Sequence, residues 1–438
     1  NSFKTASPLS GNLLPGRKVQ IQADGTVMWT GFLRRILPQV HTDQADVAIL
    51  DCVGPLGYLN DREVEIAMQA SVTTDVALGV VMDKAGWPAG DRTLDVGKTT
   101  LTRFWVDRQR VLSALRLVEE AESGFLLEGR DGKIVFENRH HRHSVTHYTS
   151  QSTFSDVVGA AITYTGIEQR DPLDQIFNIF EAEVRRYTVG ALAVLWTLSE
   201  TGANSPAIPA GTSRTWWAGY PNPDSVTDAV GVDAWTTPVA TTDFTGNSLA
   251  DGTGTNVTAD LAISVDKFGQ AMKITLTNNH ATLPAFITLL QARGTPVTAS
   301  DPVHVRQEDS TSKTRYGERK WPNPSRFVPN TDEARDWADY HLGIYKDPIP
   351  VMEVTINLNR NATALAAGIA RNISDRVTLV ANNAAGLGIN RDFFIEAEHH
   401  RIEAMQHWVT YKLSDAVQVG GFWILDTSEL GTSTKLAY

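Results

Sequence analysis

Between Asp309 and Leu358 the spacing of apolar positions changes period twice, which marks a change of local structure. The pattern predicts a strand, a tight loop, a helix and a second strand. Asn330 with Glu333 three residues on is a capping-box pair, and Asp332 adds negative charge at the same helix N-terminus. Ala334, Trp337, Ala338, Leu342 and Tyr345 then recur at helical spacing, with Arg335, Asp336 and Asp339 off the stripe. Lys346-Asp347-Pro348 ends the helix, because proline cannot donate and disfavours helix in the residue before it. After Pro350, Met352, Val354, Ile356 and Leu358 alternate with polar residues as in a half-buried strand. A helix of this kind needs a β layer beneath it, so other parts of the chain must complete the core.

Elsewhere the pattern is mostly of period two. Residues 15–59 predict two β-hairpins. In the first, Val19, Ile21 and Ala23 alternate, Asp24-Gly25 turns, and Val27–Thr30 returns. The second joins Ile36–His41 to Val47–Val53 through Thr42-Asp43-Gln44, and Gly54-Pro55 breaks the sheet. Residues 60–148 turn to α+β. Thr73 or Thr74 caps a helix carrying Val76, Val80 and Val81, which stops at Gly86-Trp87-Pro88. Asp107 is expected to cap another, with Val111, Leu112, Leu115 and Val118 buried and Gly124 as its stop. The hairpin Phe125–Glu128, Arg130-Asp131-Gly132, Ile134–Glu137 follows directly.

Residues 149–190 resume strands at Ala161–Tyr164 and Ile176–Val189. Residues 191–298 are poor in charge and rich in Thr, Ala and Gly. Strands at Leu192–Leu198, Thr212–Ala218, Leu261–Val265, Met272–Leu276 and Phe286–Ala292 have sandwich-like spacing. The last stretch is strand-rich and ends on the pair Val409–Leu413 and Phe422–Leu425.

Composition narrows the classes. The 438 residues are enough for two to four domains, and 42% hydrophobic content with 11 Trp marks a folded chain. The formal charge of −11 argues against a general nucleic-acid binder working by counterion release. Cys52 is the only cysteine, which excludes an intrachain disulfide and a cysteine zinc site; it reads as a small buried hydrophobe. No apolar run reaches 18 residues, so no membrane span is expected. Asn1-Ser2-Phe3-Lys4 has neither an initiator Met nor a signal-peptide core.

Candidate chemistry is sparse. In Arg139-His140-His141-Arg142-His143, a strand would point His141 and His143 the same way, as a zinc site requires. The two arginines oppose a cation, no acidic or cysteine ligand is near in sequence, and an exposed polar domain boundary is the simpler reading. His399-His400 with Glu398 and Glu403 reads as an ordinary strand hairpin. Asp251–Asn256 has oxygen-bearing residues without EF-hand spacing and reads as a turn. No G-x-S-x-G elbow, dinucleotide loop or Walker lysine occurs, and no pair of carboxylates is singled out for glycoside chemistry. Trp216-Trp217 with Tyr220 is the candidate contact for a glycan or a partner, weighed against buried strand aromatics. No catalytic, cofactor or metal residue is assigned, and an enzyme is not expected.

The segments Ser310-Thr-Ser-Lys-Thr-Arg-Tyr-Gly-Glu-Arg and Ala334…Ala338-Asp339-Tyr340…Tyr345-Lys346-Asp347-Pro348 resemble the late part of phage tail-tip, or baseplate hub, proteins. Pro15-Gly16-Arg17-Lys18-Val19 with Thr30-Gly31-Phe32 is similar to a hairpin of that family's first barrel. Trp423-Ile424-Leu425-Asp426…Gly431…Leu436-Ala437-Tyr438 is similar to its C-terminal strand pair. The motifs are short but span most of the chain.

The resemblance implies a mainly β protein with α+β parts. Two related β-barrels would carry an inserted small α/β domain and an inserted β-sandwich. The boundaries are 1–59 (first barrel, lacking its earliest strands, hence a processed or incomplete N-terminus), 60–148, 149–190 (return strands), 191–298 (sandwich) and 299–438 (second barrel with helix 331–346). It further implies a homotrimeric structural ring at a virion tail tip, assembled in the host bacterial cytoplasm. The expected partners are a distal tail protein ring, a tape measure, and a central spike or tail fibres. DNA would pass only in transit through a lumen whose wall is acidic or neutral. The alternative of a different class is a surface carbohydrate-binding or glycan-cleaving protein with 191–298 as its sugar module.

Overall fold

Gly31 sits where no side chain fits: a Cβ there would lie 2.3 Å from the Trp29 ring and 2.4 Å from the Val53 carbonyl oxygen. That close approach lets one strand, Thr26–Gln39, run through the point where two separate hairpins are expected from the sequence. It pairs on one side with Lys18–Ala23 and on the other with Val47–Val53, giving a three-stranded antiparallel sheet. The computed structural model describes residues 12–23, 25–39, 47–170, 173–220, 229–321, 327–328, 330–382, 384–403 and 405–416. The Asn1–Lys4 start, Asp24 of the first turn, the 42–44 connection, the Phe422–Leu425 strand and the C-terminal motif lie outside them. Cys52 is half-buried, and desolvation pushes its thiol up.

The α/β unit follows. Glu63–Thr73 pairs with Thr100–Arg110, and helices Thr74–Lys84 and Val111–Glu122 pack on them. Ile134–Glu137 lies between Arg92–Leu94, parallel to it, and Phe125–Glu128, antiparallel. The 125–137 hairpin is where the sequence places it. The first helix buries Ala77, Leu78, Val81 and Met82, packs Val80 partly against the same core and leaves Val76 exposed. Asp107 caps nothing: it stays in the strand and accepts a hydrogen bond from Trp105 Nε1 at 2.8 Å. Arg110 precedes the helix, whose first amide, Val111 N, donates to the Arg62 carbonyl at 3.0 Å.

Two sheets pack face to face within and just beyond residues 191–298. Ser213–Gly219, Ala271–Asn278 and Leu261–Lys267 make one sheet. The other is built around Ala285–Ala299, which pairs along its 15 residues with Tyr187–Val189, Ala193–Thr197, Ala207–Ile208, Ala229–Trp235 and Phe244–Asn247. Trp216, Ile274, Leu276, Ile287 and Leu290 fill the space between. The 229–235 and 244–247 strands escape the period-two pattern because bulges interrupt their register. The long strand also passes the expected boundary at 298. Val297 joins the core of the α/β unit, where Trp105 meets Tyr187 edge-on at 5.5 Å.

The C-terminal sheet has the order Gly166–Arg170, Val351–Asn357, Gln406–Asp415, Ile389–Glu403, Arg376–Ala381, Ser152–Ser155. All pairs are antiparallel except the last. Helix Ala362–Ala370 packs beside it, with Asn361 accepting from Ala364 N. The strand expected at Ala161–Tyr164 is absent; that segment connects two strands and sends Ile162 into the core.

Helix Thr331–Tyr345 forms as the pattern predicts, and Asn330 Oδ1 accepts from Glu333 N at 2.8 Å. Its stripe packs against Phe180, Ala182 and Val184 of the Ile179–Val184/Val303–Glu308 pair rather than on the strand that follows it. The tight loop expected before it is a short helix, Ser310–Tyr316, capped by Asp309 and stopped at Gly317, where φ is +80°.

Candidate functional site

The segment Arg139–His143 is not a strand. His141–His143 is a single turn of 3-10 helix, so His141 and His143 do not share a strand face and the zinc geometry fails. Nor is it an exposed boundary. Its arginines cross to residues some 200 positions later and join the α/β unit to the C-terminal sheet and the 331–345 helix. Arg142 Nη1 and Nη2 donate to Glu396 Oε1 and Oε2 at 2.6 and 2.8 Å, the bidentate fork that suits a guanidinium and a carboxylate. Arg142 also lies 4.3 Å from the centre of the Phe125 ring and 5.0 Å from that of Phe394. Arg139 Nη1 donates to Glu333 Oε1 at 3.1 Å, and Thr99 Oγ1 donates to the same oxygen at 2.8 Å. Glu333 thus reaches across the seam instead of closing a capping box. Arg130, from the 129–132 turn, donates to Glu398 Oε1 at 3.1 Å and to the carbonyls of Ile369 and Arg371.

Ser374 ties this network together. Its backbone is left-handed, with φ +69°, and its hydroxyl accepts from Arg142 Nε at 3.2 Å while donating to Glu137 Oε2 at 2.5 Å. Burial pushes the Glu137 carboxyl up against the lowering effect of that hydrogen bond. For Glu396, burial acts upward too, but the hydrogen bonds and charge of Arg142 outweigh it and hold the group below the usual carboxylate range. Glu398 is held low in the same way by His400 and Arg130.

Histidines collect along the seam. His141 Nδ1 is 2.7 Å from Asp95 Oδ2, and its Nε2 is 3.4 Å from Glu137 Oε1. His400 Nδ1 and His407 Nε2 are 2.9 Å apart inside the β-hairpin expected there. A cavity of about 470 Å³ opens between the two bodies, bounded by Phe125, Arg142, Tyr340, His341, Phe394 and Lys412. Among the described residues no group of three or more His, Cys, Asp or Glu converges on a metal position. The Asp251 turn is held by its own bonds, Thr253 N and Oγ1 donating to Asp251 Oδ1.

The sandwich separates its two tryptophans. Trp216 is buried in the core and Tyr220 packs partly against it, whereas Trp217 is 48% exposed. Neighbours in a strand face opposite ways, so the pair forms no joint platform. Trp217 instead stacks with Phe268, ring centres 5.7 Å apart, with the Arg108 guanidinium 5.7 Å from its centre. No helix among the described residues is long and apolar enough to cross a membrane.

No protein-family model and no curated protein matches the chain. Solved structures do. The tail protein from Neisseria meningitidis MC58 superimposes with a TM-score of 0.50 at 10% identity, over 92% of this chain and 84% of that one. The fold is similar to that of a tail protein. The 43 kDa tail protein of prophage MuSo2 from Shewanella oneidensis aligns with a TM-score of 0.47 at 11% identity, over 93% of this chain and 85% of that one. The Neisseria likeness takes in nearly the whole chain, so the α/β unit, the sandwich and the C-terminal sheet belong to one shared architecture.

Proposed function

We propose that this chain is a structural subunit of a phage or phage-derived tail, acting as the hub of the tail tip or baseplate. The observation that carries the reading is the fold shared with the Neisseria tail protein over 92% of this chain. In this role the chain is not an enzyme. Three copies close a heterologous ring around the tail axis, with the N-terminal and C-terminal sheets of each copy serving as parts of two related barrels that present similar surfaces to the tube above. The partners are a distal tail protein ring, a tape measure, and a spike or fibres below, with DNA passing through the lumen. The three-stranded N-terminal sheet suits assembly of this kind. Among the described residues its outer strands pair on one side only, and Ile21, Val47, Ile49 and Leu50 are exposed on it.

Electron microscopy of the native particle tests the reading. A threefold ring with an axial channel at one end of the tail is the expected result; a free monomer away from the tail would refute it. An acidic or neutral channel wall belongs to the same proposal, and a bore lined with Lys and Arg would exclude it. The sandwich faces outward, so excising its outer part while keeping Pro296–Ala299 leaves the ring able to form.

A second reading rests on Trp217 alone. An exposed indole backed by Phe268 is a surface on which a sugar ring stacks. Binding of bacterial polysaccharide that disappears in Trp217→Ala would give the sandwich a glycan-binding role within or apart from a tail.

A further inference from the structure

Two imidazoles sit in the seam with a covered ring nitrogen that has no hydrogen-bond partner. His147, in the turn of helix Val145–Tyr148, is buried, and its Nδ1 is unpartnered. His341, on the 331–345 helix, faces the α/β unit: its Nε2 lies 3.4 Å from Ser123 Oγ, and its covered Nδ1 has no hydrogen-bond partner. Aromatic rings surround it. Phe180, Trp321 and Tyr345 lie near-parallel to its plane, and Trp337 and Tyr340 stand edge-on. We propose that the seam is an acid-released latch: when His147 and His341 take up protons, the α/β unit parts from the C-terminal sheet and the 331–345 helix while each body keeps its own core.

The charge inventory around the two rings supports release. His147 faces His141, with ring centres 5.0 Å apart, and Arg142, whose charges oppose a proton on it, while Asp375 and a backbone hydrogen bond to Ser374 act the other way and are outweighed by burial. His341 looks across the cavity towards Arg139, Arg142, His143, Glu396, Lys412 and Asp415. The acids in this set are committed already. Asp375 accepts from Asn372 N at 2.9 Å and faces Arg371 at 3.5 Å, Glu396 is held by Arg142, and Asp415 pairs with Arg391 at 2.7 Å. Asp95 and Glu137 face His141. Protons added to the two rings therefore bring new positive charge into a joint that already holds Arg130, Arg139 and Arg142. For His341 burial is opposed by no counter-charge, and a buried cation of that kind drives its surroundings apart or lets water in; His147 adds to this to the extent that burial and His141 outweigh Asp375.

The direction in pH follows from burial. It lowers His341 to about 4 and pushes His147 below its usual value, where the charge of His141 adds to the effect. A group lowered in the closed state binds fewer protons there than in the open state. The closed seam therefore loses stability as pH falls from about 6.5 towards about 4. Glu137 opposes this, because its raised carboxyl favours the closed state as it protonates.

Hydrogen exchange on the full chain, corrected for intrinsic rates, tests the latch. From about pH 7.5 to about pH 5, residues 139–148, 340–345 and 372–376 should lose protection at least about tenfold, while strands 213–219 and 271–278 keep theirs. In the double variant His147→Asn, His341→Phe the opening should move down by about one pH unit or more. Loss of protection in the seam and the sandwich at the same pH would overturn the proposal, as would an unmoved opening in the double variant. If that variant does not fold at neutral pH, His341→Phe alone, which keeps a flat ring in the aromatic cluster, carries the same test.

Discussion

The α/β unit is held by two joints of opposite character. Towards the sandwich it meets Val297 and Tyr187 through Trp105 and its own apolar core, with Arg103–Asp233 at 3.4 Å as a polar accompaniment. Towards the C-terminal sheet it meets Glu333, Glu396 and Glu398 through Arg139, Arg142 and Arg130. Apolar contact is tolerant of pH and salt and is roughly proportional to area. A network of part-buried ion pairs is directional, and each member depends on the others remaining charged. The first joint therefore behaves as part of one rigid body, and the second as a contact that conditions can undo.

The sharpest way to break this contrast is to remove one partner of the polar joint. Arg142→Ala leaves Glu396 and the Ser374–Glu137 bond without their cation. Urea unfolding should show a loss of about 3 kcal/mol, the low end for breaking a buried pair because Glu396 keeps 35% of its side-chain exposure. Adding Glu396→Leu should restore much of it, since the cost lies in the stranded charge. If the double variant is no better than the single one, packing rather than charge governs the seam. Next comes the apolar joint. Val297→Ala should cost about 2 kcal/mol from lost burial and a residual cavity, with no dependence on pH between about 5 and about 8. A strong pH dependence would erase the distinction between the joints. Asn330→Ala removes the cap of the helix carrying Glu333 and His341 and should cost about 1 kcal/mol in thermal unfolding. Trp217→Ala, distant from both joints, should shift stability by no more than about 0.5 kcal/mol; a larger loss would mean its stack with Phe268 is structural.

What the sequence reveals and what it hides follow the same division. The 331–345 helix, the 125–137 hairpin and the main sandwich strands were legible because period and turn residues are local signals. The seam was not. Arg142 and Glu396 stand 254 positions apart, and nothing beside either one names its partner. Arg139–His143 looked like a polar boundary because charged residues are usually exposed, yet Arg142 keeps only 10% of its side-chain surface. The opposite facing of Trp216 and Trp217 was available from strand alternation and needed no structure. The single strand through Gly31 was hidden because the period-two pattern stops at Thr30 and resumes only at Ile36, and the crowding of Gly31 by Trp29 and Val53 is seen only in the fold.

Ala285–Ala299 also has a mechanical meaning. Fifteen extended residues reach roughly 50 Å, from the heart of the sandwich to the core around Val297. Its hydrogen bonds to the flanking strands run across its length, so a pull along the strand loads many of them at once in shear instead of peeling them singly. Tension applied to the sandwich would thus travel through the backbone into the α/β unit like a tendon anchored in bone. The sandwich would tug on its neighbour rather than tear from it.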